Sequence, residues 1–185
     1  SDHSELSLKF AHPLLIGASI LVKDYERAYD YILQSDPVLA SDTNISIDRK
    51  NVDSAVILAF LEQKRNRPRQ AEKLLRQALP VVAELPRLGM SGHGIKDVHI
   101  LTLQGRLGAA MEALLAAVDE GFVSSTGFDA WPFDEDPIIE PLRSDPRFPD
   151  IERRMTEKIE AMRRNVERAQ ESGDWSELLA RSEIT

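Results

Sequence analysis

The sequence contains few residues whose type and spacing could support catalysis or metal binding. Of the four histidines, only His93 and His99 lie near each other, with Asp97 between them. A metal site needs ligands that converge from fixed helical spacings such as i and i+4, and the two histidines lack such a spacing. The glycine-rich run 88–94 lacks the preceding strand and the following Lys-Ser/Thr of a phosphate-binding loop. We therefore expect no metal, no cofactor and no catalysis by this chain alone.

Two histidines, two loop aromatics and a basic cluster are the candidates for binding a partner or a ligand. They are His93, His99, Trp131, Phe133, Lys64, Arg65, Arg67 and Arg69. The basic cluster could meet an acidic partner or a phosphate, or it could be a solvated turn with cations at helix ends. The two aromatics could line a groove or plug the underside of the fold, and the plug is favoured because loop aromatics beside proline are commonly buried anchors.

A further candidate is an apolar stripe near the C-terminus, predicted to lie on one helix of about 24 residues that starts at Pro146. Its members are Ile151, Met155, Ile159, Met162 and Val166, with Ala169 beyond them. The stripe is narrow and its spacing is nearly heptad, as in helices that pair with a second chain. The helix is expected either to cap the rest of the fold or to mediate self-association.

Helical periodicity dominates the rest of the sequence and predicts an all-α fold. Apolar residues recur at i, i+3, i+4 and i+7 over 51–64, again over 71–82 and again over 110–118. The apolar run 13–22 is too short to span a membrane and is predicted to form a core helix. Three Asp-Pro pairs, at Asp36, Asp136 and Asp145, predict capped helix starts, and Pro80 predicts a kink or a split within a helix.

The composition of the chain argues against several classes of protein function. The chain has 185 residues, of which 42% are hydrophobic and 29% charged, with a formal net charge of −8 and no cysteine. These values are typical of a folded chain with a packed core. The acidic balance argues against direct contact with nucleic acid or an anionic membrane. The absence of cysteine excludes a disulfide scaffold.

Three segments align with one another. They begin at Lys23, Asn66 and Gly105, and in each a polar turn precedes a helix with a small residue on its inner face. The small residues are Ala28, Ala71 and Ala110; large apolar residues follow four positions later and small ones seven positions later. A small residue at a helix crossing allows a short interaxial distance.

This pattern resembles the tetratricopeptide repeat (TPR), although the alanines are spaced more widely than its usual period of about 34 residues. A fourth match begins at Gly173, with Leu178 where alanine is expected. The resemblance implies a TPR-like array of antiparallel helical hairpins, forming a right-handed superhelix with a long C-terminal capping helix. The expected organisation is a leader (1–12), three degenerate hairpins (13–121), a loop (122–135) and C-terminal capping helices (136–185).

The segment from Asp136 to Phe148, which ends in Asp-Pro-Arg-Phe, resembles the closing element of TPR regions in bacterial multidomain regulators. The resemblance implies a protein-interaction domain in the C-terminal part of a transcriptional or signalling regulator, preceded by an effector such as a winged-helix DNA-binding domain. The expected partner is a protein, a peptide or a second copy of the chain, in the cytoplasm, or in the periplasm if a membrane span lies upstream. The alternative is a small-molecule sensor with its groove near His93, His99 and Trp131.

Overall fold

The computed structural model describes residues 2–41, 45–89, 92–123 and 132–175, and within these ranges the chain is all-helical, with no strand. The side chains of residues 2–10 are not among those described. The seven α-helices are α1 (Asp2–Leu21), α2 (Tyr25–Ser35), α3 (Val52–Lys64), α4 (Pro68–Ala83), α5 (Lys96–Leu103), α6 (Leu107–Glu120) and α7 (Phe148–Ser172). Short 3-10 helices cover Pro37–Ala40, Phe133–Glu135 and Glu140–Leu142.

The first six helices pack as consecutive pairs. Helix α1 packs against α2, α3 against α4, and α5 against α6. The pairs then pack on each other, since α2 contacts α3, and both α3 and α4 contact α5. Helix α7 lies on α6 at the end of the series.

The tight turns within the three pairs have the same backbone geometry. Lys23, Asn66 and Gly105 follow α1, α3 and α5, and their φ angles are 62°, 60° and 71°. In each turn the left-handed residue donates its amide to the carbonyl three residues back, and the next residue donates to the carbonyl five residues back. The aligned segments of the sequence are therefore equivalent in backbone structure.

The small residues predicted at the crossings are buried. Ala28, Ala71 and Ala110 are fully buried, and each donates its amide to the carbonyl of the first residue after the left-handed position. The large residues four positions later, Ile32, Leu75 and Leu114, are also fully buried. The third position departs from the alignment, because Ser35 is exposed whereas Ala78 and Ala117 are buried.

The buried residues form two clusters. One joins the first two helix pairs and includes Ile16 and Ile20 from α1, together with Ile100 and Ile138 from later in the chain. The other is built on α5 and α6 and is covered by the segment that follows them. Its covering residues are Phe122, Phe133, Ile139, Leu142, Phe148, Ile151 and Met155.

The Asp-Pro-Arg-Phe element fixes the start of α7. Oδ1 of Asp145 accepts hydrogen bonds from the backbone amide and Nε of Arg147, and Oδ2 accepts one from Nη2. These bonds lower the pKa of Asp145 to about 2. The Phe148 ring stacks on Phe133 with centroids 5.9 Å apart, and the Arg143 guanidinium lies 5.3 Å from the same ring. The element thus holds α7 against the segment that precedes it.

Several boundaries differ from those expected. Helix α1 begins at Asp2 and continues through Pro13, so the segment predicted as a leader is helical. Helix α4 is not split at Pro80 and continues to Ala83. Because proline has no N–H, it removes one hydrogen bond, the one that residue 80 would donate to the carbonyl of Arg76. Asp136 does not cap the start of a helix but follows the end of the 3-10 helix Phe133–Glu135, and α7 starts at Phe148 rather than at Pro146.

Candidate interaction surfaces

His99, one of the predicted binding residues, is buried and bonded inside the fold. Its Nε2 lies 2.7 Å from Oδ2 of Asp136, and both side chains are almost fully buried. Oδ1 of the same Asp136 accepts the amide of Ile138. The pair therefore joins the segment around Asp136 to α5, and it is a contact between residues far apart in the sequence.

His93 belongs to a second buried cluster, organised by Arg87. The Arg87 guanidinium donates two hydrogen bonds to the Asp97 carboxylate, one to the carbonyl of Gly94 and one to Glu120, at 2.7–3.0 Å. Nδ1 of His93 lies 3.8 Å from Oδ1 of Asp97 and has no hydrogen-bond partner among the described residues. Burial lowers the pKa of His93 below its ordinary value of 6.5, while Asp97 acts in the opposite direction.

The loop between α4 and α5 depends on a glycine beside this cluster. The amide of His93 donates to the carbonyl of Pro86, and that of Gly94 to the carbonyl of Arg87. A Cβ on Gly92 would lie 2.4 Å from the Arg87 carbonyl oxygen. The loop and Arg87 together tie α4, α5 and α6 to one another.

Of the two aromatic residues predicted to bind or to plug the fold, the structure describes only Phe133. Phe133 is buried between Phe122 and Phe148, so it is one of the residues that cover α5 and α6 and does not line an open groove. Trp131 lies outside the described residues. Of the three described residues proposed for a groove, His93, His99 and Phe133, all are buried.

Two members of the basic cluster are engaged within the fold. The Lys64 ammonium lies 5.1 Å from the Phe60 ring and 5.9 Å from the Tyr25 ring. The Arg65 guanidinium stacks on Tyr29 at 3.8 Å, and its Nε donates to Glu26 at 3.0 Å. These contacts link the end of α3 to α2, so both cations help to join the first two helix pairs.

The other two cations face outward. Arg67 and Arg69 are exposed and line a surface pocket of about 450 Å³, together with Asn66, Pro68 and Gln70. Nε of Arg67 also lies 4.0 Å from Oε2 of the buried Glu62, an oxygen without a hydrogen-bond partner among the described residues. The buried Glu62 carboxylate thus lies close to part of the positive charge at this turn.

The stripe on α7 is half covered. Ile151 and Met155 are buried in the second cluster, so they are unavailable to another chain without disrupting the fold. Ile159 is partly buried, while Met162 and Val166 are exposed. Self-association through the distal half of α7 remains a prediction.

A different surface emerges on α1, at the other end of the series. Leu14, Leu15, Ala18, Leu21 and Val22 all point outward and form what we call the outer stripe of α1. Leu14 is 69% exposed and Val22 is 76% exposed. The opposite side of the helix carries the buried Ile16 and Ile20. Over residues 11–22, where the side chains are described, the helix is therefore apolar on both sides, although only one side is covered.

The sequence carries a signal for this surface that its periodicity does not reveal. Residues 10–22 contain no Asp, Glu, Lys or Arg, in a chain of which 29% is charged. A helix that is apolar all round is normally buried all round. The run predicts a core helix, and the side that carries Ile16 and Ile20 does lie in the core. The outward half is the part that sequence reasoning missed.

The described residues show neither a metal cluster nor a membrane span. Among them, no group of three or more His, Asp or Glu side chains is arranged to hold a metal ion. In the same part of the chain, no helix is long and apolar enough to cross a membrane. The chain matches no protein-family model, and no curated protein or solved structure is significantly similar to it.

Proposed function

We propose that this chain is a TPR-like protein-interaction module, which acts by packing a helix of another polypeptide against the outer stripe of α1. In this proposal the module binds and does not catalyse. It serves as the regulatory part of a larger bacterial transcriptional or signalling regulator.

The repeated hairpins support the TPR-like part of the proposal. Three turns with the same left-handed residue and the same hydrogen bonds each lead into a helix with a buried alanine. Stacked repeats of this kind bury their apolar faces only against neighbours. An interaction with another polypeptide is the natural extension of that packing.

The observation that carries the binding function is the outer stripe of α1. Helix α1 is the first element of the series, and its outer face is apolar over about two turns. An exposed contiguous apolar surface marks a site of interaction. A helix from another polypeptide would cover it in the way that α2 covers the inner side.

Site-directed photo-crosslinking in the source cells tests this function. A benzophenone amino acid replaces Leu14, and the matched control carries it in place of Ala116, an exposed residue of α6. We expect a polypeptide adduct at position 14 that is absent at position 116. The adduct should disappear when Ala18→Glu is added. Equal labelling at both positions, or an adduct that survives Ala18→Glu, would contradict the proposal.

The place of the module in a longer protein is a separate part of the proposal. It is supported by the closing element Asp145–Phe148, in which the Asp145 carboxylate clamps Arg147 and Phe148 stacks on Phe133. This element resembles those that end TPR regions of regulators. Sequencing the reading frame upstream of Ser1 tests it: a winged-helix domain is the expected result, and a start codon within a few residues would contradict it.

A further inference from the structure

The outer stripe of α1 is arranged symmetrically about one small residue. Ala18 lies at its centre, Leu14 and Leu15 precede it by one helical turn, and Leu21 and Val22 follow by one turn. At 3.6 residues per turn these positions span about 120° of the helix surface. A small residue flanked on both sides by large ones allows two helix backbones to approach most closely at that point.

This symmetry makes the stripe complementary to itself. Two copies of α1 can cross in opposite directions around a two-fold axis at Ala18. Leu14 of one copy then meets Val22 of the other, Leu15 meets Leu21, and the two alanines face each other. A two-fold interface requires this kind of self-complementary surface. If residue i of one copy contacts residue j of the other, then residue j of the first copy must contact residue i of the second.

Charge is consistent with the same arrangement. Residues 10–22 carry no Asp, Glu, Lys or Arg, so two copies bring no like charges together along the stripe. The remainder of the chain carries a net charge of −8, which would oppose contact between most other faces of two copies. Two copies can therefore meet along the outer stripe without bringing like charges of residues 10–22 together.

We infer that the chain forms a two-fold dimer through antiparallel packing of α1 on α1, with Ala18 at the axis. The inference rests on the proposed function, because both use the outer stripe of α1. Stable interfaces bury about 1,200–2,000 Å² in total, and five side chains per copy supply only part of such an area. We therefore expect a dissociation constant on the order of micromolar.

Sedimentation of the purified 185-residue chain, over a concentration series that brackets this value, is the first test. The wild type should pass from monomer to dimer. Ala18→Glu should stay monomeric, because it would bury two like charges at the axis. Ala116→Glu, which places the same charge on an exposed site of α6, should dimerise as the wild type does. A wild type that stays monomeric throughout overturns the inference, as does an Ala18→Glu variant that still dimerises.

Cysteine crosslinking tests the direction of packing, and the natural chain contains no cysteine to interfere. Under mild oxidation, Ala18→Cys should link to itself. Leu14→Cys mixed with Val22→Cys should give several-fold more linked dimer than either variant alone, because a disulfide needs Cα atoms about 4.4–6.8 Å apart. Efficient self-linking of Leu14→Cys would overturn the antiparallel arrangement.

The two tests separate this inference from the proposed function. A monomeric purified chain that still forms its position-14 adduct in cells would overturn the dimer while leaving the interaction module intact. The absence of both dimer and adduct would overturn both.

Discussion

The two ends of the helix series are finished in different ways. At the C-terminal end, the segment from Phe133 to Met155 covers α5 and α6 with aromatic and aliphatic side chains. The outer side of α7 is polar there, with Arg153 and Arg154 paired to acidic residues of α7 and α6. At the N-terminal end, α1 covers α2 and leaves its own outer side apolar.

The difference bears on where we propose that another molecule binds. At the C-terminal end, a later segment of the same chain covers α5 and α6, although Met162 and Val166 stay exposed on the distal half of α7. At the N-terminal end, the outer stripe of α1 is exposed. A molecule that covers the outer stripe of α1 would bury this exposed apolar surface, which is why we propose that binding takes place there.

The largest effect expected from this comparison is the loss of the closing aromatic. Phe148→Ala removes a ring that is buried against Phe133 and under Arg143, and it should lower the free energy of unfolding by about 3–5 kcal/mol. Leu14→Ala is the matched change at the open end and should cost no more than about 0.5 kcal/mol in the monomer. Denaturant unfolding at low protein concentration measures both. Similar losses would mean that the two ends are covered alike.

Overpacking the helix crossings should have the next largest effect, and it should be the same at both ends. Ala28→Leu in the first pair and Ala110→Leu in the third add volume where no space is left, because both alanines are fully buried. Each should lower the midpoint of thermal unfolding, at a cost of about 1–3 kcal/mol. If only one variant is destabilised, the three hairpins are not equivalent in packing.

A smaller effect is expected at the three equivalent turns. A Cβ added to Gly105 would meet no neighbouring atom within 4 Å, so Gly105→Ala should cost about 1 kcal/mol through its left-handed backbone alone. Asn66→Gly and Lys23→Gly should stabilise the chain by a similar or smaller amount. The free energy of unfolding of the three variants checks this, and stabilisation by Gly105→Ala would contradict the shared geometry.

The smallest effect concerns pH and the cluster around Arg87. Burial lowers the pKa of His93 in the folded chain, so the unfolded chain binds a proton more readily near its ordinary value of 6.5. This residue should therefore reduce stability as the pH falls below about 6.5, and have no such effect above it. Comparing the pH dependence of unfolding in the wild type and His93→Gln isolates the contribution. An equal decline in both would assign it to other groups.

Local features of the fold can be predicted from the sequence. The turns at Lys23, Asn66 and Gly105 are visible there because a polar turn followed by a small residue is a local pattern. The extent of α3 follows from its apolar spacing, and the loop around Gly92 from its glycines. The all-α architecture is confirmed within the described residues.

The features that cannot be predicted depend on contacts between distant residues. The pairing of His99 with Asp136, and the bonds of Arg87 to Asp97 and Glu120, leave no periodic trace in the sequence. Periodicity also identifies apolar faces without showing which of them are covered. For this reason it leaves open whether the stripe that contains Met155 caps the fold or meets another chain, and it places Leu14 in a core helix although that residue is exposed.

Amide hydrogen exchange of the purified chain at low and high concentration compares the two ends most directly. Helix α1 should gain protection over residues 11–22 as the concentration rises, because a second molecule covers its outer stripe, while α7 should exchange at the same rate throughout. The Ala18→Glu variant should show no gain in α1. Exchange in α1 that is independent of concentration, or a gain confined to α7, would contradict self-association through the outer stripe of α1.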